Sequence, residues 1–339
     1  MLYTPAITHP AEHISHEAIG YSLDWFAKTL QGGTPRPSED QIWFRKEIGT
    51  LIALIGFVAL LLGVFDALLE APVCSHLRLP EIADGTMPAP VAANRRRWTA
   101  FVISAFVPAL TYYPAFALAG TFVKPSAFLP QGITNQIMVW AIINALIALA
   151  LIPFAPKRAS RRGIIGPSIL IAVATIIFGY AALWLADFAF KIDFRFWIVA
   201  LKLMSAKQFL IFLIYVLPFT AFFVIALHVL HRNFSTMGAG RVALYLTNVF
   251  ALTLGFIVLL VLQYGTLWLT GKLFNPLPDP GFVPLSTIVA IQFVPLLAIA
   301  AVIATFTWRR TGTSRPGALI CGIFVTWYVV AGTATQAAF

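Results

Sequence analysis

The chain has 339 residues, of which 60% are hydrophobic and only 11% are charged. Soluble domains carry about 25% charged residues, so this composition excludes an ordinary soluble protein and predicts an integral membrane protein with the lipid bilayer as its partner. The net charge of +10 comes from basic residues in short loops between apolar segments, a pattern that reports topology and argues against nucleic acid as a partner.

The first 47 residues form a polar tail, and residues 1–14 predict an extended loop. Ser15 is a candidate helix N-cap, and Gly32 and Gly33 are expected stop signals. Between them, the apolar stripe of an amphipathic helix recurs at spacings of four, three and four residues: Ile19, Leu23, Phe26 and Leu30. A tail this short cannot bury a core. We therefore expect it to be loosely ordered alone, or to rest on the membrane, on the block behind it or on another polypeptide.

Eight apolar segments are long enough to cross a bilayer. The first covers residues 48–69 and carries a single charge, Asp66. The other seven are placed at residues 98–123, 133–154, 164–190, 209–231, 242–270, 283–307 and 317–335. The sequence therefore predicts an all-α, polytopic membrane bundle of about eight transmembrane helices. It has two parts, an amphipathic N-terminal tail (1–47) and a multi-span membrane domain (48–339).

The charges of the loops predict the orientation. Four connections on one side, 76–97, 157–162, 232–241 and 309–315, carry four, four, two and three Lys or Arg residues, 13 in all, against 10 on the opposite side. Four of those 10 lie in residues 191–207, which have an aromatic stripe and a basic stripe and predict a helix lying in the membrane interface. The positive-inside rule then places both termini outside the cytoplasm.

The densest chemistry of the tail lies in residues 8–17, THPAEHISHE. His9, His13 and His16, with Glu12 or Glu17, offer enough ligands for a metal ion. The spacing HxxxHxxH is not a recognised zinc pattern, however, and a solvated polar loop suits the same residues. We therefore predict no metal and no cofactor.

A histidine loop followed by the helix AIGYSLDWFAKTL at 18–30 resembles the C-terminal edge of an α/β-hydrolase domain. The segments GGTP at 32–35, DQIW at 40–43, KEIG at 46–49 and DFRFWIVALK at 193–202 are similar to bacterial α/β-hydrolase-family proteins that continue into a multi-span membrane region. The resemblance implies that His13, with His9 as the alternative, is the catalytic histidine. It also implies a location in the bacterial cytoplasmic (inner) membrane.

The chain departs from that family in one decisive respect. It contains no Gly-x-Ser-x-Gly elbow, so a lone histidine has no nucleophile to deprotonate. We expect no hydrolytic activity from this polypeptide alone. Either a serine-bearing hydrolase core is encoded upstream or separately, or the head is a relic. If the site is completed, the reaction is acyl transfer from an ester or amide to water, with His13 as general base.

Ionisable residues in the spans suggest a rival function. Asp66 and Glu70 are four residues apart on one span, and His228 and His231 are three apart at the end of another. The predicted topology brings both pairs to the cytoplasmic side as a possible intramembrane polar site. Such residues mark transport pathways, although pairing with nearby arginines explains them equally well. A small-solute or ion transporter is therefore the alternative, and a scaffold without substrate is a third hypothesis.

Uncharged polar residues inside the spans predict bonds between helices. Asn144, Asn248 and Gln292 each lie within an apolar segment. Such interhelical hydrogen bonds are worth about 0.6 kcal/mol each on average. Asp187 lies near Lys191 and Arg195, so we expect it to form an ion pair.

Overall fold

The computed structural model describes residues 2–34, 36–79, 95–156, 164–234, 240–277 and 283–332. Within these ranges eight helical units are long and apolar enough to cross a membrane, which confirms the predicted polytopic helical bundle. Of the basic connections used to predict orientation, residues 157–162 and parts of 76–97 and 232–241 lie outside the described residues.

The tail contains a 3₁₀ turn, His9–Ile14, followed by α1, His16–Thr29. The membrane-spanning helices are α2 (Trp43–Leu68), α4 with α5 (Arg95–Leu110 and Tyr112–Phe122), α6 (Gly132–Leu151, extended by a 3₁₀ turn Ile152–Phe154), α7 (Ile165–Phe190), α8 (Ala206–Phe234), α9 (Arg241–Thr270), α10 (Val283–Thr311) and α11 (Arg315–Gly332). The short α3, Pro72–Ser75, follows α2.

The spans alternate in direction, so the bundle has two ends. We call the end that carries the tail and the N-terminus of α2 the head end, and the opposite end the far end. α10 and α11 lie at the centre, with 61% and 78% of their most apolar windows buried, compared with 28–39% in the other spans. Apolar residues of the outer spans remain exposed, as lipid contact requires.

The second span breaks between α4 and α5. Pro108 lies inside α4, and the chain restarts a helix after Thr111. The carbonyl of Pro108 accepts a hydrogen bond from the Trp140 indole at 2.8 Å. The Thr111 hydroxyl donates to the Val107 carbonyl at 2.9 Å. The Val107 carbonyl also accepts from the Thr111 backbone amide at 2.9 Å, so the Trp140 indole is the side chain that satisfies a carbonyl at the break, as packed membrane helices require.

Residues 191–207 do not form the predicted interfacial helix. Strand β1 (Phe194–Phe196) pairs antiparallel with β2 (Val199–Leu201), and Trp197 in the turn has a left-handed φ of 53°. The hairpin packs on the bundle, because Phe194 lies 5.5 Å from the Phe57 ring and β2 is buried. The prediction was wrong because this run of aromatic and β-branched residues favours strand, and its apolar residues lie on two strands.

The three predicted interhelical hydrogen bonds are confirmed. Asn144 bonds to Thr111 at 3.0 Å, Asn248 to Thr305 at 2.9 Å, and Gln292 to Tyr328 at 2.5 Å. Asp187 forms the expected ion pair, with Lys191 at 3.9 Å.

A further set of buried hydrogen bonds, made by Asn135 and Gln131, fixes the loop between α5 and α6. The sequence did not indicate it. The Asn135 amide donates to the Leu129 carbonyl at 3.0 Å, and Asn135 accepts from the Tyr215 hydroxyl at 2.5 Å. Gln131 donates to the Val330 carbonyl at 3.0 Å. These bonds hold the head end of α6 against α8 and α11.

Candidate functional site

The head begins as the sequence predicts. The Ser15 hydroxyl accepts a hydrogen bond from the Ala18 amide at 3.2 Å, which confirms it as the N-cap of α1. The helix ends at Thr29, and Leu30 rather than a glycine occupies the C-cap. Gly32 follows in the left-handed region, at a φ of 90°. The predicted stop signals therefore lie just beyond the end of α1.

The head is attached to the membrane block through the β-hairpin. The Trp197 indole donates to the carbonyl of Pro10 at 2.6 Å, and the Trp197 amide donates to the Glu47 carboxylate at 3.3 Å. Pro10 is buried. The Gln41 amide also donates to the His16 carbonyl at 2.9 Å, which ties the start of α1 to the entrance of α2. The 3₁₀ turn is thus held on the β-hairpin, in the segment where the sequence predicted an interfacial helix.

The predicted catalytic histidines lie in this turn. His9 Nδ1 is 3.0 Å from Glu12 Oε2, and the His9 and His13 rings lie 6.3 Å apart, edge to face. Both side chains are exposed. Among the described residues, no group of three His, Cys, Asp or Glu side chains is arranged to hold a metal ion.

An open cleft of about 600 Å³ lies between the N-terminal loop and α1, and both Glu12 and His13 line it. Tyr21 also lines the cleft. Its hydroxyl donates a hydrogen bond to the Glu17 carboxylate, which raises the pKa of the Tyr21 phenol. Ser22 lines the same cleft, but its hydroxyl donates to the Ala18 carbonyl at 3.0 Å. Ser22 is therefore bound to the backbone of α1 and is not positioned as a nucleophile activated by His13.

Most of the apolar stripe at α1 is uncovered, although Ile19 at its start is half-buried. None of the residues of α1 is buried, and Leu23, Phe26 and Leu30 are 41%, 48% and 66% exposed. Trp25 is 48% exposed and lies edge to face with Phe26, at 5.2 Å. The helix is therefore anchored at its N-terminal end while its apolar surface lacks a covering in the described structure.

Both ionisable pairs of the spans lie at the far end of the bundle, and their members contact arginines or an aromatic ring. Asp66 pairs with Arg310 at 2.8 Å, and Glu70 pairs with Arg78. His231 is buried and stacks on Trp308, with ring centroids 5.4 Å apart.

His228, the remaining member of the two ionisable pairs, also lies near an arginine. Its Nε2 lies 3.4 Å from a guanidinium nitrogen of Arg232 on the same helix. Asp66 and Glu70 therefore each form an ion pair with an arginine. This is the arrangement expected if these acids are not part of a transport pathway.

The structure contains a narrow cavity inside the bundle that the sequence did not predict. The position of Gln292 inside a span was the sequence feature that could have pointed to it. The cavity measures about 20 Å³ and is lined mainly by aromatic and aliphatic side chains, with Gln292 and Tyr328 as its polar groups. A cavity needs roughly 10–15 Å³ to hold one water molecule. In this conformation it has no room for a larger solute.

Comparison of the chain with protein-family models, with curated proteins and with solved structures finds no match. The function therefore has to be inferred from the chain's own residues. The likeness to α/β-hydrolase-family membrane proteins stays an expectation that depends on the motifs of the head and of residues 193–202.

Proposed function

We propose that the chain is the membrane module of an α/β-hydrolase-like system and holds a hydrolase core at the head end. The observation that supports this proposal is the uncovered apolar stripe on a head that is itself fixed to the membrane block. In the family that the sequence resembles, the corresponding helix closes the domain by packing on its sheet.

Energetics favour a partner for the stripe. Fully burying a Leu or Phe side chain contributes about 1.5–3 kcal/mol. Leu23, Phe26 and Leu30 realise only part of this value, because they are still 41%, 48% and 66% exposed. The bonds of Trp197 and Gln41 hold the start of α1 in place before any partner binds, which lowers the entropy lost on association.

The chemistry of the completed system would follow from the position of His13. His9 is occupied by Glu12, whereas His13 lines the open cleft and is accessible to a serine from the core. His13 would then act as general base for hydrolysis of an ester or amide. The serine and the oxyanion hole would come from the core, supplied upstream or as a separate polypeptide.

The rival hypothesis, a small-solute or ion transporter, has less support. Pro108, Pro218 and Pro295 lie inside helices of the spans, and proline within membrane helices is a feature of transporters. The cavity between α6, α8, α10 and α11 is only about 20 Å³, however, and Asp66 is engaged with Arg310. We therefore prefer the membrane module.

A fluorophosphonate probe for serine hydrolases tests the proposal. The full chain is purified from its native membrane in mild detergent, and the preparation is treated with the probe. We expect no label within residues 1–339 and a label on the core, either on a segment encoded upstream of these residues or on a separate protein that co-purifies with them. The double variant Leu23→Ser and Phe26→Ser should reduce the co-purified label by more than about tenfold, because it removes two exposed apolar side chains that the core would bury.

The matched control is Ile42→Ser, which replaces a 71% exposed apolar residue outside the stripe and should retain the label. Labelling of the chain itself would show that the serine is not supplied by a partner. Absence of any labelled partner, or equal label in the double variant, would refute the membrane-module function.

A further inference from the structure

The open cleft between the N-terminal loop and α1, which we call the head cleft, combines aromatic rings with negative charge. Four aromatic side chains line it: Tyr3, Tyr21, Trp25 and Phe26. Tyr3 and Tyr21 are stacked, with ring centroids 4.8 Å apart, and Trp25 and Phe26 meet edge to face at 5.2 Å. The cleft thus presents two packed pairs of rings to a ligand.

The size of the head cleft suits a small molecule. Its volume of about 600 Å³ lies within the range of roughly 300–1,000 Å³ that small-molecule pockets occupy. Such pockets are lined mainly by aromatic and apolar side chains, with a few polar groups that orient the ligand. The polar groups here are Glu12, His13 and Ser22 and the hydroxyls of the two tyrosines.

The head is acidic, although the whole chain has a net charge of +10. Residues 2–30 contain three carboxylates, on Glu12, Glu17 and Asp24, and one ammonium group, on Lys28. With histidines neutral, three negative charges and one positive charge give this segment a net charge of −2. Among the described residues that line the cleft, none is Lys or Arg. The head cleft therefore attracts cations and repels anions.

Two carboxylates bring this charge to the cleft. Glu12 contacts His9 through Oε2, at 3.0 Å, and a carboxylate has a second oxygen for another partner. Glu17 accepts a hydrogen bond from the Tyr21 hydroxyl at 2.9 Å, so its charge lies beside a ring that lines the cleft. Both side chains are exposed. Their attraction for a cation is therefore modest, and the aromatic rings have to supply the selectivity.

The head already holds a cation on one of these rings. Lys28 Nζ lies 5.9 Å from the centroid of the Tyr3 ring and donates to the Tyr3 hydroxyl at 3.3 Å. A cation within about 6 Å of an aromatic centroid is attracted by the ring quadrupole. Lys28 itself does not line the cleft. The contact shows that the aromatic rings of the head attract ammonium groups.

A quaternary ammonium group is the cation that fits this lining. A primary ammonium group presents three N–H donors that each need an acceptor, whereas a quaternary one has none and is recognised by aromatic rings and charge. We propose that the head cleft binds a small soluble molecule that carries a quaternary ammonium group. Because His13 lines the same cleft, the substrate of the completed hydrolase would be an ester or amide with this group. That second statement rests on the proposed function.

Saturation-transfer NMR with choline tests the proposal. The full chain is purified in a maltoside detergent, which has no ammonium group, and the N-methyl signal of choline is followed through a titration. We expect saturable binding. The carbon isostere of choline, in which an uncharged carbon atom replaces the nitrogen, should bind about two- to fivefold more weakly, because this is the factor that a cation–π contact contributes at an exposed site. Trp25→Leu and Glu12→Gln should each weaken choline binding by a similar factor.

The controls are matched to these two variants. Trp184→Leu on α7 and Glu39→Gln in the tail replace exposed residues of the same types that do not line the cleft, and both should retain full binding. Equal losses in the control and cleft variants would overturn the proposal. Equal affinity for choline and its carbon isostere, or no saturable binding by the wild type, would also overturn it.

Glycerophosphocholine distinguishes a lipid headgroup from a ligand without phosphate. Glu12 and Glu17 would repel a phosphate next to the ammonium group, so we expect this compound to displace choline several-fold less well than unlabelled choline does. Equal displacement would overturn the proposed soluble ligand and assign the cleft to a phosphatidylcholine headgroup.

The choline experiment is independent of the hydrolase core, so the two proposals can fail separately. Choline binding by a chain for which the fluorophosphonate probe labels no core would support the cleft site and refute the membrane-module function. A labelled core together with a chain that does not bind choline would refute the cleft site alone.

Discussion

At the scale of single residues, the bundle depends on positions where two backbones nearly touch. Gly255 of α9 faces α4, and a Cβ atom built on it would lie 2.0 Å from the Ala105 carbonyl oxygen. No backbone shift of a few tenths of an ångström relieves such an overlap. Small residues at helix contacts are how membrane bundles gain van der Waals packing.

Gly255→Ala should therefore destabilise the bundle by about 1–3 kcal/mol, the usual cost of overpacking. Thermal unfolding in detergent, followed by circular dichroism, measures the change. Gly265→Ala on the same helix is the control, because a Cβ atom there meets nothing within 4 Å. A loss of stability in Gly265→Ala equal to that in Gly255→Ala would show that the cost comes from the helix and not from α4.

Sequence reasoning succeeds at this scale where the signal is local. Ser15 was identified as a cap because its partner is only three residues away. Gly255 gave no such signal, because the carbonyl that requires it belongs to Ala105, far away in the chain. The resemblance to α/β-hydrolase-family proteins indicates His13, with His9 as the alternative, but the sequence does not show that Glu12 contacts His9.

At the scale of elements, long spans were predictable and short strands were not. An apolar run of span length has few alternatives in a membrane, so the spans were placed to within a few residues of their observed limits. Residues 193–202 are a short apolar run, for which periodicity does not separate helix from strand. The deciding contacts, Phe57 with Phe194 and Trp327 with the Lys202 carbonyl, come from distant spans.

The hairpin leads to a prediction about the head. Trp197→Phe keeps the aromatic ring but removes the indole N–H that donates to Pro10. One hydrogen bond is worth about 0.5–1.5 kcal/mol, so amide exchange across residues 9–15 should accelerate by up to about tenfold. Hydrogen exchange with mass spectrometry measures this rate.

The control is Trp184→Phe, at a 54% exposed position on α7, which should leave the exchange of residues 9–15 unchanged. Unaltered exchange in Trp197→Phe would show that other contacts, such as Gln41 with the His16 carbonyl, are sufficient to hold the head.

At the scale of the whole molecule, the two ends carry different groups. The head end presents the cleft and the apolar stripe, and the far end carries the ion pairs Asp66–Arg310 and Glu70–Arg78. The fold class followed from composition and span length, because the bilayer restricts the choice so strongly. The function did not follow, because the proposed role of His13 depends on a nucleophile and this sequence contains no Gly-x-Ser-x-Gly elbow to supply one.

Orientation supplies the whole-molecule prediction. We expect the head end outside the cytoplasm, since the far end carries the larger number of basic residues. A cysteine at Ser126, exposed at the head end, should react with an impermeant thiol reagent in intact cells, and one at Ser75, exposed at the far end, should not. Cys74 and Cys321 are buried and give little background. Labelling confined to Ser75→Cys would reverse the orientation.

The burial of α11 has a consequence for how the chain is made. Its most apolar window has a mean hydropathy of 1.3, the lowest among the spans, and is 78% buried. A ribosome delivers α11 after the other spans, so this weakly hydrophobic segment enters a bilayer where its neighbours α7, α8 and α10 are already present. Packing against these neighbouring helices, more than contact with lipid, then stabilises α11 in the membrane. Nascent chains stalled before residue 315 would leave the surfaces of α7, α8 and α10 that α11 covers exposed. We expect membrane proteases to degrade such chains.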